Sequence, residues 1–441
     1  MNHIDSYYVR TRSAAPERPP LHGEHNVDVC VIGAGLAGLN TTLELAERGQ
    51  SVLLLEANRV GFGASGRNGG FIGAGYSQGL DWLTKRVGLD HTQALHALSR
   101  KAVATVSDRI ERHGIDCGPN TQGVLVSSWI DDPDGIRRYI DGMARDFDVP
   151  LEFVPRGRVR DEFADSPRYF DGWLNNASFQ FHPLNYCLGI AAAAETSGAK
   201  IAEGTPVTGL EVEAAEKQIV TPHALVRARH VVLACGGYDL GVLPEVSGAI
   251  LPVSTYVMAT APVSENVLAG TIKKPICLAD TRDAGDYYRV LPDGRILWGG
   301  RMTVRAGDPP RLGYEMLGDL TKVHPQLADH VSCETVWRGT MSYARHRMPQ
   351  VGRLRDGVWY AQAFGGSGMG TTTVAGDVLG SAIAEGDDRY RLFEPFGLTW
   401  AGGPVGRIAA QTTYWSYQVR DWLTARRDHK RRAAASGQQA A

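Results

Sequence analysis

Three glycines and one carboxylate carry the first chemical signal in this chain of 441 residues. Gly33, Gly35 and Gly38 fill a G-x-G-x-x-G spacing, with Leu36 and Ala37 between them, and Glu56 stands at the end of the next apolar run. Each glycine does something a Cβ would spoil: a tight turn, a close approach to a pyrophosphate, close packing of helix on strand. A helix that begins at Leu36 aims unsatisfied N–H groups at phosphate oxygens. An acid after the second strand accepts ribose hydroxyls and disfavours a 2′-phosphate. The pattern therefore points to a dinucleotide such as FAD or NAD and away from NADP.

The stretch that follows, "GFGASGRNGG" at residues 61–70, separates FAD from NAD. A backbone so free of side chains lets a flat ring system lie against the main chain, while Arg67 and Asn68 supply N–H donors to phosphate or ring oxygens. "AFGGSGMGTTT" at 363–373 is not read as a second fingerprint, because no strand ending in an acid follows it.

At this point the sequence resembles the FAD-dependent oxidoreductases of the D-amino acid oxidase and glycine oxidase superfamily. Within it, "SYYVRT", "RVGFGASGRNGG" and "GTMSYARHRMPQVG" look most like the γ-glutamylputrescine oxidase group of bacterial amine oxidases, and the likeness runs from Ser6 to about Gly386. The resemblance implies that Gly33 to Gly38 and Glu56, with Ala57 and Arg59 just after it, hold the ADP half. Ser65, Gly66, Arg67, Asn68, Gly69 and Gly70 pass beside the pyrophosphate and the isoalloxazine. It places the Val207 backbone at the adenine and the Cys235–Gly236 turn near the phosphates. Gly366, Ser367, Gly368, Met369, Gly370 and Thr371 reach the pyrimidine edge, where a helix from about Thr371 aims its positive end at N1 and C2=O. A helix N-terminus stabilises an anion by roughly 0.3–1 kcal/mol, and up to about 2 when partly buried. Many relatives have histidine where Ser367 stands, so any role of that imidazole is absent here.

Members that oxidise free amino acids hold the carboxylate with an arginine on the strand corresponding to "YYRVLPDGRILWGG". That position falls on Leu291, with Arg289 two residues away on the same strand face. Absence of the arginine suits an amine better than an α-amino acid. Tyr256, Tyr288, Arg289, Trp298 and Tyr343 are the candidate substrate pocket, although an aromatic stripe is more often the pattern of plain core. The implied chemistry is hydride transfer from the carbon bearing nitrogen to flavin N5, imine hydrolysis to an aldehyde, and reoxidation by O2 to give H2O2. A quinone or protein acceptor in place of O2, or a non-catalytic FAD-binding subunit, stays open. An alkylamine has a pKa near ~10.4, so its neutral form costs roughly 4–5 kcal/mol at pH 7. That exceeds the ~0.5–2 kcal/mol by which an aromatic wall favours the cation, so desolvation has to lower the bound pKa. No catalytic base is assigned: His182 and His346 read as structural, and with no H-E-x-x-H and with His22 and His25 in the N-terminal arm, no metal is expected.

These residues need elements to position them. "VDVCVI", a helix bearing Leu36, Leu39, Leu43 and Ala46, a stop at Gly49 and "SVLLLEA" make one βαβ unit. Helix is expected at 81–113 and 182–199, strand at 116–130 and 151–160, and antiparallel strands across 251–304. The fold class is α/β: a discontinuous Rossmann-type FAD-binding domain over 1–80, 181–250 and 340–441, plus an α+β substrate domain over 81–180 and 251–339 with a mostly antiparallel sheet. Ile408, Trp415, Val419 and Trp422 share a face of a helix over 405–424, and "RRDHKRRAAASGQQAA" reads as a frayed tail. Association with a membrane surface, if any, would run through 405–432. A net charge of −2 implies no nucleic-acid partner. Six scattered cysteines without a C-x-x-C pair read as reduced thiols, and the N-terminus lacks the apolar run of a signal peptide, so the expected location is cytoplasmic.

Overall fold

The computed structural model describes residues 1–118, 121–238, 241–305 and 307–439. The chain divides into two compact units, the first made of Met1–Gly118, Phe181–Ser254 and Gly339–Gly406, the second of Pro119–Gln180, Thr255–Arg338 and Arg407–Ala441.

In the first unit, short runs of valine and leucine form strands that are covered on both faces, as inner parallel strands require. The sheet order is Gln350–Arg355, Val358–Gln362, Ala224–Leu233, Gly23–Ile32, Val52–Leu55, Lys200–Ala202. All of these pair in parallel except Gln350–Arg355, which runs antiparallel at the edge. Ile32 lies level with both Leu55 and Leu233, so three strands finish at one line, and Val358–Gln362, with Tyr360 level with Leu233, runs two residues past it. The carboxyl ends of parallel strands are where α/β sheets bind ligands. Helix Leu36–Glu47 returns from that line, and so does helix Gly368–Glu385. The two helices touch backbone to backbone: a Cβ on Gly376 would stand 2.6 Å from the Cβ of Asn40, and one on Gly380 would stand 2.6 Å from the Cβ of Glu44.

The expected boundaries differ from these units by more than a few residues in two places. Helix Leu89–Arg112, expected with the substrate domain, packs in the first unit. Its buried Arg109 donates to Asn40 Oδ1 at 2.7 Å and pairs with Glu44. Buried charge of this kind is held by partners on a neighbouring helix, a contact that periodicity does not encode. The C-terminal segment is one helix, Gly403–Gln439, which from Arg407 onward belongs to the second unit. The tail expected to fray is helical as far as described; residues 440 and 441 lie outside the described residues. Gln411 Oε1 accepts from Thr303 Oγ1, and the Asp421 carboxylate accepts from the Asp283 and Ala284 N–H groups.

The second unit carries strands in the order Cys333–Tyr343, Leu251–Thr260, Ile296–Thr303, Tyr287–Val290, Cys277–Asp280, Thr121–Ser127, Gly172–Gln180. Cys277–Asp280 runs antiparallel to Tyr287–Val290 and parallel to Thr121–Ser127, so the sheet is mixed. Of 151–160 only Glu152–Val154 is strand; beyond Pro155 the chain turns helical and buries Val159 and Phe163 four residues apart. Alternate side chains of the sheet, among them Tyr256, Met258, Tyr288, Ile296 and Trp298, pack with Leu312, Met316 and Leu320 of helix Leu312–Val323.

Candidate functional site

The first unit brings the sequence-predicted glycines and Glu56 to the line where its strands end. Gly33 has φ +105, and a Cβ there would lie 2.7 Å from the Ala234 carbonyl oxygen. Its N–H donates to Leu55 O at 2.8 Å, tying the loop to the end of the second strand. A Cβ on Gly38 would be driven to 1.9 Å from the Gly33 carbonyl oxygen, so helix and loop meet at backbone distance. Helix Leu36–Glu47 starts at Gly35 with no side-chain cap of its own. The Leu36 N–H is instead taken by Ser65 Oγ at 2.9 Å, which places the second glycine stretch directly over the helix start.

Glu56 is buried, and its carboxylate spans two turns: Oε2 accepts from Ala34 N at 2.8 Å and Oε1 from Asn58 N at 2.7 Å. Burial pushes its pKa up, the two backbone donors pull it down, and nearby Glu203 raises it again. Sequence reasoning missed Glu203. It is buried, pairs with Arg59 at 2.8 Å and accepts from Val60 N, so Arg59 is engaged on this carboxylate. Glu56 N and Thr205 N join Glu56 to the segment that leads to Val207, whose side chain is buried. Ala57 sits in the bend that follows Glu56.

In the 61–70 stretch the two polar residues have different work. Asn68 shapes its own loop, donating through Nδ2 to Ala64 O and Ser65 O and accepting Gly70 N–H at Oδ1, 2.8 Å. Its amide hydrogens, expected to serve a ligand, are taken by the main chain. Arg67 is buried with its guanidinium 4.5 Å over the Phe62 ring and Nη1 3.4 Å from the Tyr238 hydroxyl. A Cβ on Gly66 would lie 2.3 Å from Gly61 O, while Gly69 and Gly70 are buried, Gly70 at φ +74. Cys235 and Gly236 follow Ala234 directly, and a Cβ on Gly33 would come 3.3 Å from the Cys235 Cα.

The second glycine loop reaches the same end of the sheet after Val358–Gln362. Ala363, fully buried, has φ +61, and its N–H donates to Ser342 Oγ at 3.1 Å. A non-glycine residue held in that region marks a backbone that the surroundings over-determine. Tyr343 lies against this loop: a Cβ on Gly365 would stand 2.6 Å from its ring and one on Gly366 3.5 Å from its hydroxyl. The helix begins at Gly368, three residues earlier than expected, with Ser367 as a cap whose side chain makes no capping bond. Gly368, Met369 and Gly370 are thus inside its first turn. Thr371 Oγ1 folds back onto Ser367 O at 2.8 Å. Two helix starts whose own N-cap residues, Gly35 and Ser367, make no capping bond, together with the glycine-rich Ser65–Gly70 loop, therefore form a cradle of close-packed backbone, which fits a dinucleotide bearing a planar ring.

The aromatic candidates of the second unit are distributed differently. Tyr256, Tyr288 and Trp298 lie in its hydrophobic core, Tyr288 and Trp298 stacked with ring centres 4.9 Å apart. The Tyr288 hydroxyl meets His324 Nε2 at 2.8 Å, and His324 Nδ1 meets Asp165 O at 3.1 Å. A carbonyl only accepts, so Nδ1 bears the proton and Tyr288 donates. By strand alternation Tyr287 and Arg289 are on the other face, where a Cβ on Gly299 would run into the Tyr287 ring at 2.0 Å. Arg289 is buried, its Nη1 3.5 Å from Gln180 Oε1, and Leu291 is buried as well. His182 and His346 are structural: His182 Nδ1 caps Asn185 N–H at 3.1 Å, and His346 Nδ1 accepts from Met348 N.

Residues 28–382 match the family model described as FAD dependent oxidoreductase. The chain is 32% identical over 393 residues to the γ-glutamylputrescine oxidoreductase of Escherichia coli K12, covering 89% of this chain and 91% of that one. It is 24% identical over 396 residues to the glycine oxidase of Geobacillus kaustophilus, covering 87% of this chain and 99% of that one. The crystal structure of that glycine oxidase superimposes with a TM-score of 0.70 at 20% identity, covering 85% of this chain and 99% of that one. The L-proline dehydrogenase of P. horikoshii gives 0.70 at 20% identity, covering 85% and 100%.

Proposed function

Since the chain belongs to the family of FAD-dependent oxidoreductases that act on amines and amino acids, we propose that its substrate is an amine of the γ-glutamylputrescine kind. The reaction is oxidation of the C–N bond to an imine, which water converts to an aldehyde. The first-unit cradle would hold FAD: the Gly33–Gly38 backbone at the pyrophosphate, Glu56 at the ribose, Val207 near the adenine, and Gly366 to Thr371 at the pyrimidine edge. When bound, FAD supplies the two-electron acceptor and passes the electrons on to O2 or another acceptor.

The observation that carries the amine assignment is the state of the one strand where amino acid oxidases bear their carboxylate-binding arginine. Leu291 fills the corresponding position and is buried, and Arg289 is buried beside Gln180. A substrate with an α-carboxylate next to the reacting carbon would lack its usual partner; an alkylamine needs none. What the pocket has to do is strip water from the ammonium, because at pH 7 its neutral form costs roughly 4–5 kcal/mol.

The test is anaerobic reduction of the yellow holoenzyme, followed near 450 nm, with putrescine, γ-glutamylputrescine, N-methyl amino acids and cyclic imino acids. The polyamine derivatives should bleach the flavin fastest, with the rate rising through an apparent pKa well below that of the free amine. Faster bleaching by an α-amino or imino acid would overturn the substrate assignment, and a profile that follows the free amine's own pKa would overturn desolvation.

A further inference from the structure

The C-terminal helix of the second unit is apolar on the wrong side. Among its residues, Ile408 is 66% exposed, Trp415 46%, Val419 56% and Trp422 57%. At about 100° per residue, these four and Val405 fall within an arc of roughly 100°. Of the residues bonded to the rest of the second unit, Tyr414, bonded to Met302, and Asp421, which accepts from Asp283 N, lie on the opposite side with the buried Asp428, while Gln411, which accepts from Thr303 Oγ1, stands beside the edge of the arc. The stripe is therefore not the packing face. Arg426 and Lys430 continue the same arc, Arg427 flanks it, and all three are exposed with no ion pair among the described residues. The only acids between Gly403 and Arg432 are Asp421 and Asp428. Both are turned inward, which leaves the outer side free of negative charge.

We propose that this side of the helix docks the second unit on an anionic lipid surface, with Trp415 and Trp422 at headgroup depth and Arg426, Arg427 and Lys430 on lipid phosphates. Tryptophan and cations on one exposed helix face are the pairing that an interfacial helix uses. No helix among the described residues is long and apolar enough to cross a membrane, so the contact is superficial. A second copy of the chain fits less well. In a parallel pair Arg426 and Lys430 would face their own counterparts across the seam, and no acid on that side could answer them.

The experiment is flotation of the full-length holoenzyme with phosphatidylcholine vesicles with and without about one-third phosphatidylglycerol. Binding is expected to the anionic vesicles, weakening with salt and accompanied by a blue shift of tryptophan emission. The R426E/R427E/K430E variant, with unchanged flavin content, should bind at least about a hundredfold more weakly, since losing three basic residues costs about 1 kcal/mol each near the surface and the introduced carboxylates are repelled by it. W415S/W422S should lose the blue shift and the binding together. No flotation, or equal flotation on both vesicles unaffected by the variants, would overturn the proposal. So would a dimer in sedimentation that W415S/W422S dissociates, in a protein that ignores vesicles.

Discussion

Gly38→Ala tests the cradle at its tightest point. The new methyl would lie 1.9 Å from the Gly33 carbonyl oxygen and 3.1 Å from its carbon, both backbone atoms. Ordinary contact needs at least about 1 Å more room. Neither side can give it easily. Gly33 is held by its N–H bond to Leu55 O at 2.8 Å, its neighbour Ala34 by Glu56 at 2.8 Å, and the far side of the loop is pressed against Ala234 O. Overpacking of this sort costs about 1–3 kcal/mol in the protein itself. The larger effect is on the cofactor. Moving the loop and the helix start apart by about 1 Å would remove good geometry from about two backbone bonds that the proposed FAD site would make to phosphate, each worth about 1.5–3 kcal/mol when charge-assisted. FAD affinity should therefore fall by roughly two to four orders of magnitude. The assay is flavin absorbance per protein after purification, then titration of the apoprotein with FAD, with far-UV circular dichroism to show that the fold persists. A well-folded variant that keeps stoichiometric FAD and an affinity within about threefold of the parent would refute the reasoning.

Asn68→Ala removes three bonds that shape the 61–70 loop, so that loop should become the first site of limited proteolysis and FAD should bind more weakly; an unchanged digestion pattern counts against the assignment. Arg109→Met leaves the Asn40 oxygen and part of the Glu44 carboxylate buried without their guanidinium, a loss of about 3–5 kcal/mol. The unfolding midpoint should drop by at least about 6 °C and Arg109→Lys should not restore it, whereas a midpoint within about 2 °C of the parent contradicts the buried pairing. Burial holds the pKa of His324 down at about 4 against an ordinary 6.5. Its contribution is complete above about 6.5 and is lost as pH falls toward 4, where the unfolded chain takes up a proton that the folded one refuses; the total is on the order of 3 kcal/mol. Asp286, pushed up to about 7 by burial, slopes the other way, losing stability as pH rises. The measurement is therefore stability from pH 4 to 7 for His324→Gln against the parent, and parallel curves would contradict the prediction.

The first glycine loop was legible because its signal is local: spacing, a preceding strand and an acid on the next strand all lie within residues 27–56. Its partners were not. Glu203 and Arg109 act from distant points of the chain, and only the parallel register that levels Ile32 with Leu55 and Leu233 gathers such segments. The candidate pocket groups Tyr288 with Arg289, although alternation puts adjacent residues on opposite faces of a strand, and alternation alone cannot say which face a helix will cover; Leu312–Val323 covers the Tyr288 side. At the second loop, glycines 366, 368 and 370 concealed a helix start, because glycine is a poor helix former and only the fixed surroundings hold it there. Ala363 gave no warning at all, since its positive φ is imposed by the fold on a residue that does not favour it.

The glycine contact of Gly376 with Asn40 and Gly380 with Glu44 has a consequence for what the fold can accept. It clamps one helix against the other at a single axial register, so in the proposed FAD site the distance between the two helix starts would be a built-in gauge for the span from phosphate to ring. Altering the loops alone cannot reset that gauge. Refitting the unit to a shorter cofactor would require one helix to slip past its neighbour by a full turn, against main chain on both sides.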